Sequence, residues 1–278
     1  MPTLRAAQTQ ATTRLAHCDS AELDAQLLLA HVLTKPRSWL YAWPDHELSE
    51  ADAMAYDALV ERCSRGEPVA YLIGKREFWN FELRVGPAVL IPRPETELLV
   101  ELALQLGKEL PGPVADLGTG SGAIALALAL ERPDWQVHAT ELSDAALQVA
   151  AMNIQQSGLG NVQLCRGSWC EPLRSTCSVI VSNPPYIEAN DPHLAALAFE
   201  PRTALVAAEQ GLADLRTIAH QAKTRLLIGG WLLLEHGWQQ GAAVREMLTT
   251  ADYRLVSTQQ DHGGRDRVTL GRWMGSEP

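Results

Sequence analysis

Over roughly the first 75 residues, apolar positions recur at helical spacing, and no strand-like alternation appears before Trp79. Asp19 or Ser20 can cap a helix with Glu22 in its first turn, and Leu23, Leu27, Ala30 and Leu33 then fall on one face. Ser49 followed by Asp52 repeats the capping pattern, and Gly66 is a natural stop. The period then changes. Trp79, Phe81, Leu83 and Val85 alternate with polar residues, Gly86-Pro87 turns the chain, and Ala88 to Ile91 runs back, which predicts a β-hairpin. After Arg93-Pro94-Glu95-Thr96-Glu97, where Pro94 suits a first helical turn, Leu98, Leu99, Leu102 and Leu106 return to a helical stripe.

From Pro113 onward short apolar runs alternate with helical patterns. Strands are predicted at Val114 to Leu117, Gln136 to Glu141, Val162 to Cys165, Ser178 to Ser182, Trp231 to Glu235, Arg254 to Thr258 and Val268 to Gly271. Helices are predicted at Ala123 to Glu131, Asp144 to about Gln156, Leu212 to Leu226 and Ala242 to Thr250. Strands spaced by helices of this length predict a doubly wound α/β sheet. Only a loop separates the last two strands, so they should form an antiparallel pair. The expected organisation is a helical N-terminal domain over 1–75, a β-hairpin linker over 76–92 and an α/β domain over 93–278.

Composition narrows the setting. The net charge of −10 disfavours a surface that tracks phosphate backbones. The longest aliphatic run, Ala123 to Leu130, falls far short of the roughly 20 residues of a membrane helix. Met1 to His17 lacks the apolar region of a signal peptide, and the five cysteines have no CxxC spacing, so reduced thiols in the cytoplasm and no metal site are expected.

The candidate chemistry sits at two strand ends. Asp116-Leu117-Gly118-Thr119-Gly120-Ser121-Gly122 closes one strand and opens a helix; its glycines let the backbone turn sharply and expose N–H groups to a ligand. Glu141 closes the next strand, where a carboxylate can accept both hydroxyls of a ribose. Loop and acid together indicate an adenosine-containing cofactor without choosing between a hydride carrier and a methyl donor. The choice comes from Asn183-Pro184-Pro185-Tyr186, at the end of the β-branched strand Ser178 to Ser182. A planar nitrogen delocalises its lone pair and is a poor nucleophile. The Asn183 side-chain oxygen and the Pro184 carbonyl can accept its two N–H bonds, aim it at a sulfonium methyl and stabilise the positive charge that develops. Pro184 and Pro185 hold that carbonyl rigidly, and Tyr186 offers a flat face to a planar group. Hydride transfer has no use for this arrangement.

At this point a resemblance emerges. Val114 to Ala125 followed by Val181 to Ile187 resembles the PrmC/HemK methyltransferases, which methylate the glutamine nitrogen (N5) in the Gly-Gly-Gln motif of peptide chain release factors. The likeness extends to Gly66 to Gly74, Arg93 to Glu97, Phe199 to Arg202 and Leu234 to Gly237. It implies a class I, Rossmann-like methyltransferase domain and a helical N-terminal domain that helps grip the release factor. It implies S-adenosyl-L-methionine as methyl donor, with S-adenosyl-L-homocysteine as product. Gly118, Thr119, Gly120, Ser121 and Gly122 would line its methionine part, Glu141 would hold its ribose and Trp169 would lie by its adenine. Asn183, Pro184, Pro185 and Tyr186 would hold the glutamine. A cytoplasmic monomer without stable nucleic-acid or membrane partners is expected. The rivals are an rRNA or DNA amino-methyltransferase, which needs a basic face, and a non-catalytic release-factor binder.

Overall fold

The computed structural model describes residues 1–275 and divides them into two compact units, 1–75 and 76 onward. The first unit is all helical: α1 (Leu4–Arg14), α2 (Ala21–Leu33), α3 (Arg37–Ala42), α4 (Glu50–Ser64) and α5 (Val69–Ile73). The expected cap at α4 forms, with the Ser49 hydroxyl accepting from the Asp52 N–H at 3.1 Å. The expected face of α2 is covered only in part: Ala30 is buried and Leu33 packs against the core. Ala25, Leu28 and Leu29 are buried, whereas Leu23 is 40% exposed. The helix carries leucines on more than one face, and packing against Leu4, Leu15 and Val60 selects which one is covered.

The second unit holds a seven-stranded sheet in the order β5-β4-β3-β6-β7-β9-β8, formed by β3 (Val114–Leu117), β4 (Val137–Glu141), β5 (Val162–Arg166), β6 (Cys177–Ser182), β7 (Leu226–Glu235), β8 (Arg254–Gln260) and β9 (Asp266–Arg272). The pairs from β5 to β7 are parallel, and β9 runs antiparallel to both neighbours, as the short final connection required. β3 and β6, the central parallel strands, are buried along their whole length, Asp116, Ser178 and Ser182 included. The helices are α6 (Glu97–Gly107), α7 (Ala123–Glu131), α8 (Asp144–Ser157), the single turn α9 (Ala208–Gly211), α10 (Ala213–Ala222) and α11 (Gly241–Thr250). The deep line of α6 is Leu99, Val100, Ala103 and Gly107, with Leu98, Leu102 and Leu106 only partly covered. After β3 the chain builds outward to β5 and then returns to place β6 on the other side of β3. That reversal opens a crevice at the carboxyl ends of β3 and β6.

The hairpin corrects the sequence reading. Its strands are β1 (Lys75–Phe78) and β2 (Phe81–Arg84), so the hairpin turn falls at Trp79-Asn80; the chain also turns at Gly86-Pro87, where the Val89 N–H donates to the Gly86 carbonyl at 3.1 Å, but no strand follows. Trp79 takes φ +53°, with its N–H donated to the Glu97 carboxylate at 3.0 Å and its indole N–H to Glu131 at 2.8 Å. Ala88 to Ile91 forms no strand, because the Ile91 N–H is given to the buried Glu200 side chain at 3.0 Å. The segment belongs to the second unit: Asn153 of α8 both accepts from and donates to the Arg84 backbone, at 2.8 and 3.0 Å. No helix among the described residues is long and apolar enough to cross a membrane.

Candidate active site

A cavity of about 600 Å³ lies at the crevice, well inside the roughly 300–1,000 Å³ range of small-molecule sites. It brings together most of the residues singled out in sequence: Gly118, Thr119, Gly120, Ser121, Glu141, Trp169, Asn183, Pro184 and Pro185 all line it. Gly122 does not; it sits at the N-terminus of α7 and packs toward Leu126 and Ala150. Tyr186 is also absent from the wall. Its ring packs against the second apolar core and its hydroxyl points to Glu235.

The glycine side is built mainly from β3 to the end of β4, with Trp169 added from the loop after β5. Asp116, the third residue of β3, is fully buried; its Oδ2 accepts from the Thr119 hydroxyl at 2.6 Å and the Ala125 N–H at 3.1 Å, pinning both ends of the loop. Its Oδ1 has no partner, and burial pushes the carboxyl up to about 7. Glu141 closes β4 and accepts three backbone N–H groups, from Gly120 at 3.0 Å, Leu142 at 2.8 Å and Ser143 at 2.9 Å. A carboxylate offers about four acceptor positions, so capacity remains for a ligand hydroxyl. Gly118 takes φ +71°, and a Cβ there would stand 3.0 Å from the Trp169 ring. Trp169 lines the cavity and also packs against the core, its carbonyl accepting from the Thr140 hydroxyl at 2.9 Å.

The opposite wall is assembled from distant segments. Asn183 follows β6 directly, and its Nδ2 donates to the Thr96 hydroxyl at 3.2 Å. Arg93 forms an ion pair with Glu200, whose side chain is 3% exposed; Pro92, Arg93, Pro201 and Thr203 all line the cavity. Gln240 donates to the carbonyls of Tyr186 and Gln210, both at 3.0 Å, and accepts from the Gly237 N–H at 2.8 Å. Burial and the Glu235 carboxylate hold the Tyr186 phenol above its ordinary value. His236 is fully buried, bonded to the Thr269 hydroxyl at 2.7 Å and the Gly237 carbonyl at 2.9 Å, the arrangement of a structural histidine. Sequence reasoning left Thr96, Glu235 and Gln240 unassigned. The only signal for the first two was their place inside Arg93 to Glu97 and Leu234 to Gly237, segments that carried the resemblance.

The sheet order, the glycine loop at the switch point and Asn-Pro-Pro-Tyr beyond β6 together define a class I, Rossmann-like methyltransferase. The profile of the PrmC N-terminal domain matches residues 6–74, and that of the methyltransferase small domain matches 94–205. A release factor glutamine methyltransferase from Vibrio cholerae is 50% identical over 277 residues, covering 98% of this chain and 97% of its own. The protein of the same name from Escherichia coli is 46% identical over 267 residues, covering 95% and 96%. This chain belongs to the release factor glutamine methyltransferase family. Solved structures agree on the fold: a methyltransferase from Pyrococcus furiosus superposes with a TM-score of 0.54 at 20% identity, over 78% of this chain and 98% of that one. The hMettl16 catalytic domain superposes with a TM-score of 0.61 at 16% identity, over 90% and 92%.

Proposed function

We propose that this chain transfers the methyl group of S-adenosyl-L-methionine to N5 of the glutamine in the Gly-Gly-Gln motif of peptide chain release factors. The observation that carries the reading is one cavity walled on one side by the glycine loop and Glu141 and on the other by Asn183-Pro184-Pro185. The residues fit a nucleoside with an amino-acid tail. A Cβ on Gly120 would meet nothing within 4 Å, so that stretch of backbone is open to a ligand, and Glu141 keeps acceptor capacity for a ribose.

Held by the glycine loop and Glu141, the cofactor would supply an electrophilic sulfonium methyl to the nitrogen lone pair. Asn183 Oδ1 and the Pro184 carbonyl accept the two amide N–H bonds, turning the lone pair toward the methyl. Both acceptors are negative dipoles aimed where positive charge develops, and the methylated nitrogen then loses one proton to solvent. Tyr186 stands behind the wall, its ring in the apolar core and its hydroxyl toward Glu235. The helical unit 1–75 serves as the recognition domain for the release factor, and the protein works as a cytoplasmic monomer. Incubation with methyl-labelled cofactor and, separately, a release factor, DNA or rRNA tests this. Label is expected on the glutamine of the release factor. Label on nucleic acid alone overturns the substrate, and no label anywhere leaves a binder without catalysis.

A further inference from the structure

Behind Asn183 lies a buried carboxylate that the transfer chemistry does not use. Leu234 pairs with Ser182 in register, so Glu235, the next residue and the last of β7, stands level with Asn183. Its side chain is almost wholly buried, and burial pushes it up to about 7. Oε1 accepts from the Tyr186 hydroxyl at 3.5 Å, and no hydrogen bond ends on Oε2. The groups that face it are Thr96 and Glu95 from the start of α6, Tyr186 from the loop after β6, and Arg267 from β9. The Thr96 hydroxyl and the Arg267 charge favour the ionised carboxylate, while Glu95 opposes it.

Thr96 is 4% exposed; its hydroxyl accepts from the Asn183 amide at 3.2 Å and is among the groups acting on the Glu235 carboxylate. A hydroxyl has a single proton. When Glu235 takes that proton as a hydrogen bond, the Thr96 oxygen can only accept, and Asn183 must present its NH₂ to it. The amide oxygen is then the atom left for the cavity. If Glu235 is neutral, the Thr96 proton is free to go to Asn183 Oδ1, and the flipped amide presents donors to a substrate nitrogen that is itself a donor. We infer that Glu235 is a positioning residue which, through the Thr96 hydroxyl, holds the Asn183 amide with its oxygen toward the substrate.

The inference rests on Asn183 accepting from the glutamine amide, so the experiment must separate the two. Turnover is measured with labelled cofactor and a release factor, and cofactor affinity by calorimetry, on the full chain. Thr96→Val, which keeps the shape, is expected to lower kcat about 100-fold with cofactor Kd within about threefold of wild type. Thr96→Ser restores kcat to within about threefold. Wild-type kcat should rise with pH through about 7, and Glu235→Gln should abolish that rise and lower the plateau about tenfold. If wild type leaves the release factor unmethylated, the functional reading falls and the relay with it. If wild type methylates it, then a folded Thr96→Val with kcat within threefold, or an acid limb surviving in Glu235→Gln, overturns the relay alone. Should Thr96→Val fail to fold, the Glu235→Gln profile decides.

Discussion

The two walls of the cavity are built on opposite plans. The glycine wall is local: β3, its loop and the end of β4 supply it, and its polar contacts are mostly backbone N–H groups reaching Asp116 and Glu141. The opposite wall is assembled over long separations. Thr96 meets Asn183 across 87 positions, Tyr186 meets Glu235 across 49, and Arg93 meets Glu200 across 107. A wall of backbone donors tolerates side-chain change and loses affinity in small steps. A wall of buried side chains fails in large ones, because each loss leaves a partner unsatisfied.

The largest effect is expected at Asn183. In Asn183→Ala, kcat should fall by about 10² to 10³, the equivalent of roughly 3–4 kcal/mol of transition-state stabilisation, while cofactor affinity changes only modestly. Steady-state turnover beside calorimetric binding reads the two separately, and wild-type turnover would break the division between the walls. Next comes Glu200→Gln. It leaves the Arg93 guanidinium without its carboxylate partner at a site where the acid is 3% exposed. The guanidinium left behind is 34% exposed and stays partly hydrated, so the loss should be about 1–2 kcal/mol and the urea midpoint should drop measurably. A loss of a few tenths would mean that the two cavity loops are held by other contacts.

The same contrast governs what could be read in the sequence. The glycine loop, Glu141 and Asn183 were legible because each stands at a strand end within a short pattern, and the alternation of strands and helices gave the sheet around them. Thr96 and Glu235 were not, since a threonine at a helix start and a glutamate after four apolar residues both have bland local explanations; only the sheet order brings them beside Asn183. The hairpin was misplaced for a related reason. Gly86-Pro87 does turn the chain, but the Ile91 N–H is committed to a glutamate 109 residues away, and no return strand forms. On α2 the period was right and the face only partly so, because leucines on several sides leave the choice to tertiary packing.

A smaller effect tests the buried acids, one on each wall. Burial raises both Asp116 and Glu235 to about 7. Their unfolded values lie near 4, so between about 4 and 7 the folded state holds protons that the unfolded chain has released. Their stabilising contribution is complete below the unfolded values and is lost as pH rises to about 7. Each group should therefore tilt the stability–pH profile downward in that window. Urea unfolding between pH 5 and 8 should show stability falling with pH, with a flatter fall in Asp116→Asn and in Glu235→Gln. A slope unchanged in Asp116→Asn would mean that this acid is ionised throughout.

The smallest stability effect is expected inside the glycine loop, where the local plan makes its sharpest claim. Gly120 takes φ +56°, and an added Cβ meets no atom within 4 Å. Gly120→Ala should therefore cost the cofactor-free protein only the left-handed backbone penalty, about 1 kcal/mol. Gly118→Ala should cost more, about 2 kcal/mol, because φ is +71° and the new methyl also crowds the Trp169 ring at 3.0 Å. Cofactor binding should not follow stability. The space over Gly120 is open only while nothing lies against the loop, so if the methionine part of the cofactor rests there, the methyl added by Gly120→Ala occupies its place. Calorimetry should find Kd weakened more than about tenfold by that substitution despite its near-native stability. Unchanged affinity would move the cofactor off this stretch of backbone and leave Glu141 as the main anchor of that wall.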